Sequence, residues 1–132
     1  MATDPQTLSI EPGKWGPEAD HWLTGAAGAD LLDIKSQLEH GAALFYVKHE
    51  GATVGAFVLR VDMLASGAEG VIVAASAKLA GVDMIETCMP AIESKFVGCK
   101  SIRYHTRHPA LARKLARRGF VAREIVCSKA VQ

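Results

Sequence analysis

Features of secreted, disulfide-linked or membrane-spanning proteins are scarce in these 132 residues. The three cysteines, Cys88, Cys99 and Cys127, are widely spaced and form no Cys-x-x-Cys pair, which is typical of reduced, packed thiols. Charges interrupt every apolar run well before the roughly 18 residues that a membrane-spanning helix needs. The stretch from Met1 to Pro5 has neither the basic nor the apolar region of a signal peptide. These absences predict a cytoplasmic protein without a membrane partner.

Motifs of the common hydrolases and metal sites are also missing. No Ser-His-Asp constellation or nucleophile elbow is present. The pair His105-x-x-His108 lies at a predicted strand-to-helix junction, where residues three apart do not share a face, and no cysteine or carboxylate adjoins it. Aromatic residues make up only 6% of the chain, which argues against a stacking surface for single-stranded nucleic acid. We therefore expect no metal and no nucleic-acid site of that kind.

What the chain does have is the composition of one globular domain. Apolar residues make up 49% and charged residues 22%, both ordinary for a soluble fold. A chain of this length can bury a core without disulfides or metal. We expect residues 1–132 to form a single domain.

Charge is distributed unevenly along the chain. Residues 100–132 hold nine basic residues and one acidic residue, whereas residues 1–99 hold six basic and thirteen acidic residues. Such a split indicates either an anionic ligand or acidic partner for the C-terminal third, or a solvated basic helix face. The basic face of the last predicted helix consists of Arg113, Lys114, Arg117 and Arg118.

The first half of the chain predicts a strand, two helices and a hairpin. Glu50-Gly51 is a tight turn between two apolar strands, and Gly55 within the second strand indicates a bulge or a close backbone approach. Asp30 is a plausible N-cap. The predicted elements are a strand over Thr7 to Ile10, a helix from Pro17, a helix over Leu31 to His40, strands over Ala43 to Lys48 and Thr53 to Met63, and a turn over Leu64 to Glu69.

The second half predicts strand, loop, helix, strand, helix and strand. Apolar residues from Ile85 to Phe96 recur at helical spacing, and Pro90 among them should kink the helix. Pro109 suits a first helical position, and Gly119 suits a C′ position before Phe120 returns to the core. The predicted elements are a strand over Val71 to Ala75, a loop over Ser76 to Ala80, a helix over Gly81 to Phe96, a strand over Ser101 to Thr106, a helix from His108 and a final strand.

This order predicts an α/β (α+β) fold with a mixed, mostly antiparallel central sheet and helices on both faces. The segment from residue 43 to residue 129 resembles the GNAT superfamily of acyl-CoA-dependent N-acyltransferases. In that family a strand leads into a loop of pattern Gln/Arg-x-x-Gly-x-Gly/Ala and then a helix. Here the loop has Lys78 at the Arg position, Gly81 in place, and Asp83 where the family has Gly or Ala. The later family pattern Asn-x-x-Ala…Tyr-x-x-x-Gly-Phe has His108 at its Asn position and Leu115 at its Tyr position.

The resemblance implies acetyl-CoA as cosubstrate. Its pyrophosphate would lie on the backbone of the loop at a helix N-terminus, and backbone groups of the preceding strand would hold the thioester arm. The basic face of the last helix, which includes Arg113, would meet the 3′-phosphate. The implied binding residues are Ile72, Val73, Ala74, Lys78, Leu79, Ala80, Gly81, Val82, Asp83, His108 and Arg113.

Three residues are candidates for proton transfer. Glu69 is either the base that takes a proton from the amine or a solvated turn carboxylate. Tyr104 and His105 lie beside the loop, and His105 is either a titrating group or a packed or surface histidine. Leu115 replaces the tyrosine that commonly serves the family as general acid.

Two hypotheses about function follow. The first is an N-acetyltransferase that binds acyl-CoA and acts on an unknown amine. The second is a non-catalytic protein of GNAT fold, such as a phage virion or accessory component, that binds an acidic partner through its basic C-terminal third. In the second case the location would be the virion rather than the cytoplasm. Residues Glu124 to Ala130 also offer a strand through which two copies could pair.

Overall fold

Five strands and four helices follow one another in the predicted order as far as the last helix. They come from a computed structural model that describes residues 8–24, 26, 30–106 and 108–131. Thr7, the predicted first residue of the first strand, lies outside the described residues. The elements are β1 (Leu8–Pro12), α1 (Pro17–Leu23), α2 (Leu31–Glu39), β2 (Ala43–His49), β3 (Ala52–Leu64), β4 (Gly67–Ala77), α3 (Met84–Ser94), β5 (Ser101–Tyr104) and α4 (Pro109–Ala116).

The strands form one sheet in the order β1-β2-β3-β4-β5. The pairs from β1 to β4 are antiparallel, and β5 runs parallel to β4, as expected after a crossover through α3. The prediction of a mixed, mostly antiparallel sheet is confirmed. None of the helices in the described ranges is long and apolar enough to cross a bilayer.

Side chains alternate across the sheet and form a core on each face. One core contains Phe57, Leu59 and Ile72 together with residues of α3 and Leu115 of α4. The other contains Ala56, Val58 and Ala74 together with residues of α1 and α2. The sheet is therefore covered by helices on both faces, as predicted.

The hairpin between β2 and β3 has the predicted turn. Glu50 and Gly51 both have positive φ, 50° and 83°, as a type I′ turn requires. The register with β2 shifts between Val47 and Lys48, opposite Gly55. A Cβ on Gly55 would lie 2.4 Å from the Cβ of Ala77. The extra residue of the bulge is Val54, next to Gly55, and the close backbone approach at Gly55 is confirmed.

Strand β4 is longer than the sequence pattern predicted. It runs over Gly67–Ala77 rather than Val71 to Ala75, because the ladder with β3 extends from Leu64↔Gly67 to Gly55↔Ala77. Glu69 therefore lies within a strand and not in a turn, and Ser76 and Ala77 are strand residues. The loop before α3 begins at Lys78.

The two later helices begin where their capping residues place them. Helix α3 starts at Met84, not at Gly81, because Asp83 is its N-cap. It continues through Pro90 as one helix. Pro109 occupies the first turn of α4, as predicted. Gly119 has a φ of +91°, and the Phe120 N–H donates to the Leu115 carbonyl at 3.2 Å, which confirms the predicted C-terminal cap.

The last predicted strand is wrong. Residues 121–131 contain neither helix nor strand, and all of them are exposed. A strand needs a neighbour to which its backbone can hydrogen-bond, and none of the strands in the described ranges pairs with this segment. Phe120, at its start, is half-buried against the core of α3 and α4, as predicted.

Candidate active site

A cleft opens where β4 and β5 part. The two strands pair only from Glu69↔Ser101 to Ile72↔Tyr104. Strand β4 then continues to Ala77, where no described strand pairs with its β5-facing edge. The ladder with β3 passes from Val58↔Ala74 to Leu59↔Ile72, so Val73 is the extra residue of a β-bulge. A bulge bends its strand and ends regular pairing, which accounts for the separation at this point.

A cavity of about 230 Å³ lies between this part of the sheet and helices α3 and α4. Its walls are mostly apolar, and Tyr104 and Ser76 contribute its hydroxyl groups. Leu115, 4% exposed, faces the same cavity. The lining residues are Val47, Ala56, Phe57, Ala75, Ser76, Ala77, Met84, Ile85, Cys88, Met89, Ile92, Tyr104, Leu111 and Leu115.

Burial keeps the titratable groups of this cavity neutral. It raises the pKa of the Tyr104 phenol to about 12, because the charged form is poorly solvated there. Burial also raises the pKa of the Cys88 thiol. Near neutral pH Tyr104 is therefore a proton or hydrogen-bond donor, and Cys88 is a packed thiol rather than a nucleophile.

The loop from Lys78 to Asp83 leads from β4 into α3. The Lys78 N–H donates to the Val54 carbonyl at 2.9 Å, which fixes the start of the loop to β3. Gly81 has a φ of +76°, and a Cβ there would meet no atom within 4 Å. Glycine is thus favoured at this position by its backbone conformation. The side chain of Lys78 is exposed.

Asp83 caps the helix that follows this loop. Its Oδ1 accepts hydrogen bonds from the backbone N–H groups of Ile85 at 3.1 Å and Glu86 at 3.3 Å. Free N–H groups at a helix N-terminus are a common anion site. At α3, two of these N–H groups are engaged by a carboxylate of the chain itself.

A groove of about 460 Å³ runs along the loop, with Lys114 of α4 as the residue opposite it. Lys114 belongs to the basic helix face for which the sequence predicts contact with the 3′-phosphate or an acidic partner, and Arg113 is the residue of that face among the implied binding residues. The helical period could have distinguished Lys114 from Arg113. Because Lys114 follows the inward-facing Leu111 by three residues, the two lie on the same side of α4. Arg113 is exposed and lines neither the groove nor the cavity.

The two histidine candidates lie away from these cavities. His105 follows the last residue of β5 and is exposed. His108 is the N-cap residue of α4, is also exposed, and makes no side-chain capping hydrogen bond. In the described ranges no group of three or more His, Cys, Asp or Glu side chains is arranged to hold a metal ion.

Glu69 belongs to a network of charged side chains on the α1/α2 face of the sheet. Its Oε2 accepts a hydrogen bond from the Ser101 hydroxyl at 3.1 Å, and its Oε1 lies 3.5 Å from Arg103 Nε. The same arginine contacts Asp62 Oδ2 at 3.1 Å. A hydrogen bond from Arg60 lowers the pKa of the Asp62 carboxyl, and the charges of Arg60 and Arg103 add to this effect.

Glu69 and Tyr104 thus face opposite sides of the sheet. Tyr104 packs against the core of α3 and α4, whereas the network around Glu69 reaches Gln37 of α2 through Arg60. Glu69 precedes Ile72, the strand partner of Tyr104, by three residues, which is about 10 Å of strand. The structure places both residues near the base of the cleft but does not bring them into contact.

Comparison with solved structures identifies the architecture. A Trypanosoma brucei acetyltransferase superposes with a TM-score of 0.69 at 16% identity, over 94% of this chain and 99% of the other. A Brucella melitensis ribosomal-protein-alanine N-acetyltransferase gives 0.63 at 14% identity, over 96% and 99%. This chain has the GNAT fold. A GNAT family acetyltransferase from Elizabethkingia anophelis with acetyl-CoA bound gives 0.64 at 15% identity, over 86% of this chain and 74% of the other. No protein-family model and no curated protein sequence matches the chain.

Within the GNAT fold, the basic C-terminal third is less available than its sequence predicted. Arg118 does not belong to the free face of α4, because its guanidinium lies 3.4 Å from Glu86 Oε2 and 3.3 Å from Glu93 Oε2 of α3. Hydrogen bonding to Glu93 raises the pKa of Arg118. Arg103 is likewise held by Asp62 and Glu69. Arg113, Lys114 and Arg117 are exposed, and Arg107 lies outside the described residues.

Proposed function

We propose that this protein is an N-acyltransferase that transfers an acetyl group from acetyl-CoA to an amine. One observation carries the proposal: β4 leaves β5 at the Val73 bulge and leads directly into the Lys78–Asp83 loop at the N-terminus of α3, beside an apolar cavity. The GNAT fold and the acetyltransferases that share it support the same reaction class.

The residues present fit such a ligand in three respects. Lys78 and Lys114 lie along the groove of the loop, where they would neutralise phosphate charge, and Arg113 is next to Lys114 for the 3′-phosphate. Backbone groups of Ile72, Val73 and Ala74, at and beside the bulge, would hold the amides and carbonyl of the thioester arm. The apolar cavity would take the acyl end.

One residue opposes the fit. The Asp83 carboxylate competes with a pyrophosphate for the N–H groups of Ile85 and Glu86, and its charge repels the ligand. The proposal therefore includes a lower affinity for CoA than a loop with Gly or Ala at position 83 would give.

His108, at the N-terminus of α4, is a further proposed contact of the ligand.

The reaction requires two proton movements. The amine nitrogen attacks the thioester carbonyl carbon, the carbon–sulfur bond breaks, the amine loses a proton to a base, and the departing thiolate gains one. We assign the donor role to Tyr104, which lines the same cavity as Leu115 and stays protonated because of its raised pKa. Glu69 is the proposed base, directly or through water, with the exposed His105 as the second candidate.

The alternative, a non-catalytic protein that binds an acidic partner through its basic C-terminal third, has less support. Arg103 and Arg118 are engaged in ion pairs with acidic residues of the same chain, so fewer positive charges are available to a partner. Three of the solved structures that share the fold are acetyltransferases.

Calorimetric titration with acetyl-CoA and with CoA, at low and moderate salt, tests the proposal. We expect one-site binding that is abolished by Gly81→Asp. Gly98→Asp is the matched control, because Gly98 also has a positive φ (+93°) and open space around a Cβ, but lies beyond α3. Absence of binding by the wild-type protein at millimolar ligand would overturn the proposal. So would equal losses in the two variants.

A further inference from the structure

The cavity beside the β4–β5 cleft extends far beyond the place proposed for the thioester. Its wall includes Tyr104 of β5, Ala75 of β4, Phe57 of β3 and Val47 of β2, and these strands are neighbours in the sheet. Because neighbouring strands lie about 4.8 Å apart, the cavity crosses roughly 14 Å of sheet. The methyl carbon of an acetyl group lies only about 1.5 Å from its carbonyl carbon. An acetyl group whose carbonyl is held at Ile72, the strand partner of Tyr104, would fill only one end of this cavity.

The far end of the cavity lies inside the protein core. Val47 and Phe57 are 1% and 2% exposed, and Cys88 of α3 is 7% exposed. All three belong to the core that the sheet forms with α3 and α4. Cores are closely packed and contain few voids larger than a water molecule, and an apolar void left empty lowers stability. A space of about 230 Å³ at this place therefore indicates room for a ligand rather than loose packing.

The wall of the cavity indicates what kind of group would occupy it. The side chains that the structure describes around it are all uncharged, and their polar atoms are the hydroxyls of Ser76 and Tyr104 and the thiol of Cys88. A charged group would lose its hydration there without gaining an opposite charge. Met84 and Met89 contribute flexible side chains, which adapt to irregular apolar groups. The wall thus disfavours acyl groups that end in a carboxylate or an amine and favours a hydrocarbon chain.

The volume of the cavity sets the length of that chain. An engineered apolar cavity of about 150 Å³ in another protein binds benzene, which corresponds to about 25 Å³ per carbon atom. By this measure the cavity holds up to about nine carbons, and fewer where it opens into the cleft. We infer that the acyl donor is a CoA thioester with an uncharged hydrocarbon chain of about six to eight carbons. Its carbonyl would lie near Tyr104 and its chain end against Val47 and Cys88.

This inference rests on the proposed function and specifies the donor of that reaction. The chemistry is the same as for acetyl transfer. The amine nitrogen bonds to the carbonyl carbon and the carbon–sulfur bond breaks, while the amine proton passes to the base and the thiolate receives a proton. Acetyl-CoA remains a ligand through its CoA part but leaves most of the cavity unfilled.

Calorimetric titration with CoA and with its acetyl, butanoyl, hexanoyl, octanoyl and decanoyl thioesters tests the inference. Each further pair of buried CH₂ groups should lower Kd by about tenfold, up to octanoyl, and decanoyl-CoA should bind no more tightly. The melting temperature at a fixed ligand concentration should rise in the same order. Equal Kd values for acetyl-CoA and octanoyl-CoA, or tightest binding of acetyl-CoA, would overturn the inference and leave the proposed function intact. If neither CoA nor any thioester binds, the proposed function fails and the inference fails with it.

A matched pair of cysteine variants tests whether the chain lies in this cavity. Cys88→Leu puts a larger side chain at the far end, so it should weaken octanoyl-CoA binding by about tenfold or more and leave acetyl-CoA binding unchanged. Cys99→Leu is the control, because Cys99 packs against the same core but does not line the cavity. It should keep the wild-type order of affinities. Cys88→Val, a smaller enlargement, serves as a second variant if circular dichroism shows that Cys88→Leu is unfolded. A folded Cys88 variant with the wild-type chain-length preference would overturn the inference, as would equal losses in the Cys99 control.

Discussion

Asp83 Oδ1 lies 3.1 Å from the backbone nitrogen of Ile85, in the first turn of α3. This hydrogen bond stabilises the helix, yet it occupies a group that an anionic ligand would use. Helix stability and affinity for a pyrophosphate therefore place opposite demands on one side chain. The conflict can be tested with substitutions that separate the charge of Asp83 from its capping role.

Replacing Asp83 should tighten acetyl-CoA binding. Asp83→Asn keeps a capping side chain and removes the charge, so we expect an affinity gain of about threefold to tenfold with little change in stability. Asp83→Ala should give a similar gain but lower the free energy of unfolding by about 1 kcal/mol, because the cap is lost. Calorimetric titration and denaturant unfolding measure the two effects. Unchanged or weaker binding in both variants would show that no anion lies at this helix end.

Tyr104→Phe should slow the proposed acyl transfer. Removing the phenol leaves the cavity shape and takes away the donor to the departing thiolate, so kcat should fall by about tenfold to a hundredfold with KM little changed. Tyr46→Phe is the control, because Tyr46 is the second of two tyrosines and donates instead to the Lys14 carbonyl. Equal rates for wild type and Tyr104→Phe would remove Tyr104 from the mechanism.

Tyr104 should also make the free energy of unfolding depend on pH in the alkaline range. Its pKa is raised from 10.0 to about 12 in the folded protein, so the folded state holds its proton more tightly than the unfolded chain does. This contribution is complete below pH 10 and is lost as the pH rises toward 12. Wild type should therefore lose more stability than Tyr104→Phe over this range in urea unfolding. Parallel curves would mean that the phenol is not buried in solution.

Much of this architecture could be predicted from local sequence signals. Asp30 caps α2 by accepting a hydrogen bond from the Leu32 N–H at 2.7 Å. This cap, the cap at Gly119, the hairpin turn at Glu50-Gly51 and the glycine of the Lys78–Asp83 loop all depend on residues close together in the chain. The full length of β4 could not, because its ends are set by pairing with β3. Arg118 reads as part of a basic helix face, and only tertiary packing brings it to Glu86 and Glu93, 32 and 25 residues earlier.

Glu69 and Asp62 offer a matched test of the proposed base. Both carboxylates contact Arg103, so Glu69→Gln and Asp62→Asn should each lower the free energy of unfolding by about 1 kcal/mol or less, as is usual for partly exposed pairs. Only Glu69→Gln should also reduce kcat/KM, by about a hundredfold. Steady-state kinetics across pH would compare them. A similar loss of activity in both variants would mean that the network has a structural role alone.

Gly70→Ala should destabilise the fold, because the added methyl group would clash with the ring of Phe96. A Cβ on Gly70 would lie 2.5 Å from Cδ1 of Phe96, and Phe96 is itself buried, at 5% exposure. The ring can give way only by moving the end of α3, so we expect a loss of about 1–3 kcal/mol. In a Phe96→Leu background the smaller side chain leaves room, and Gly70→Ala should cost much less there. A double-mutant cycle by denaturant unfolding measures this coupling. If the two substitutions are additive, Phe96 does not lie over Gly70, and the packing of α3 beside the β4–β5 cleft differs from that described.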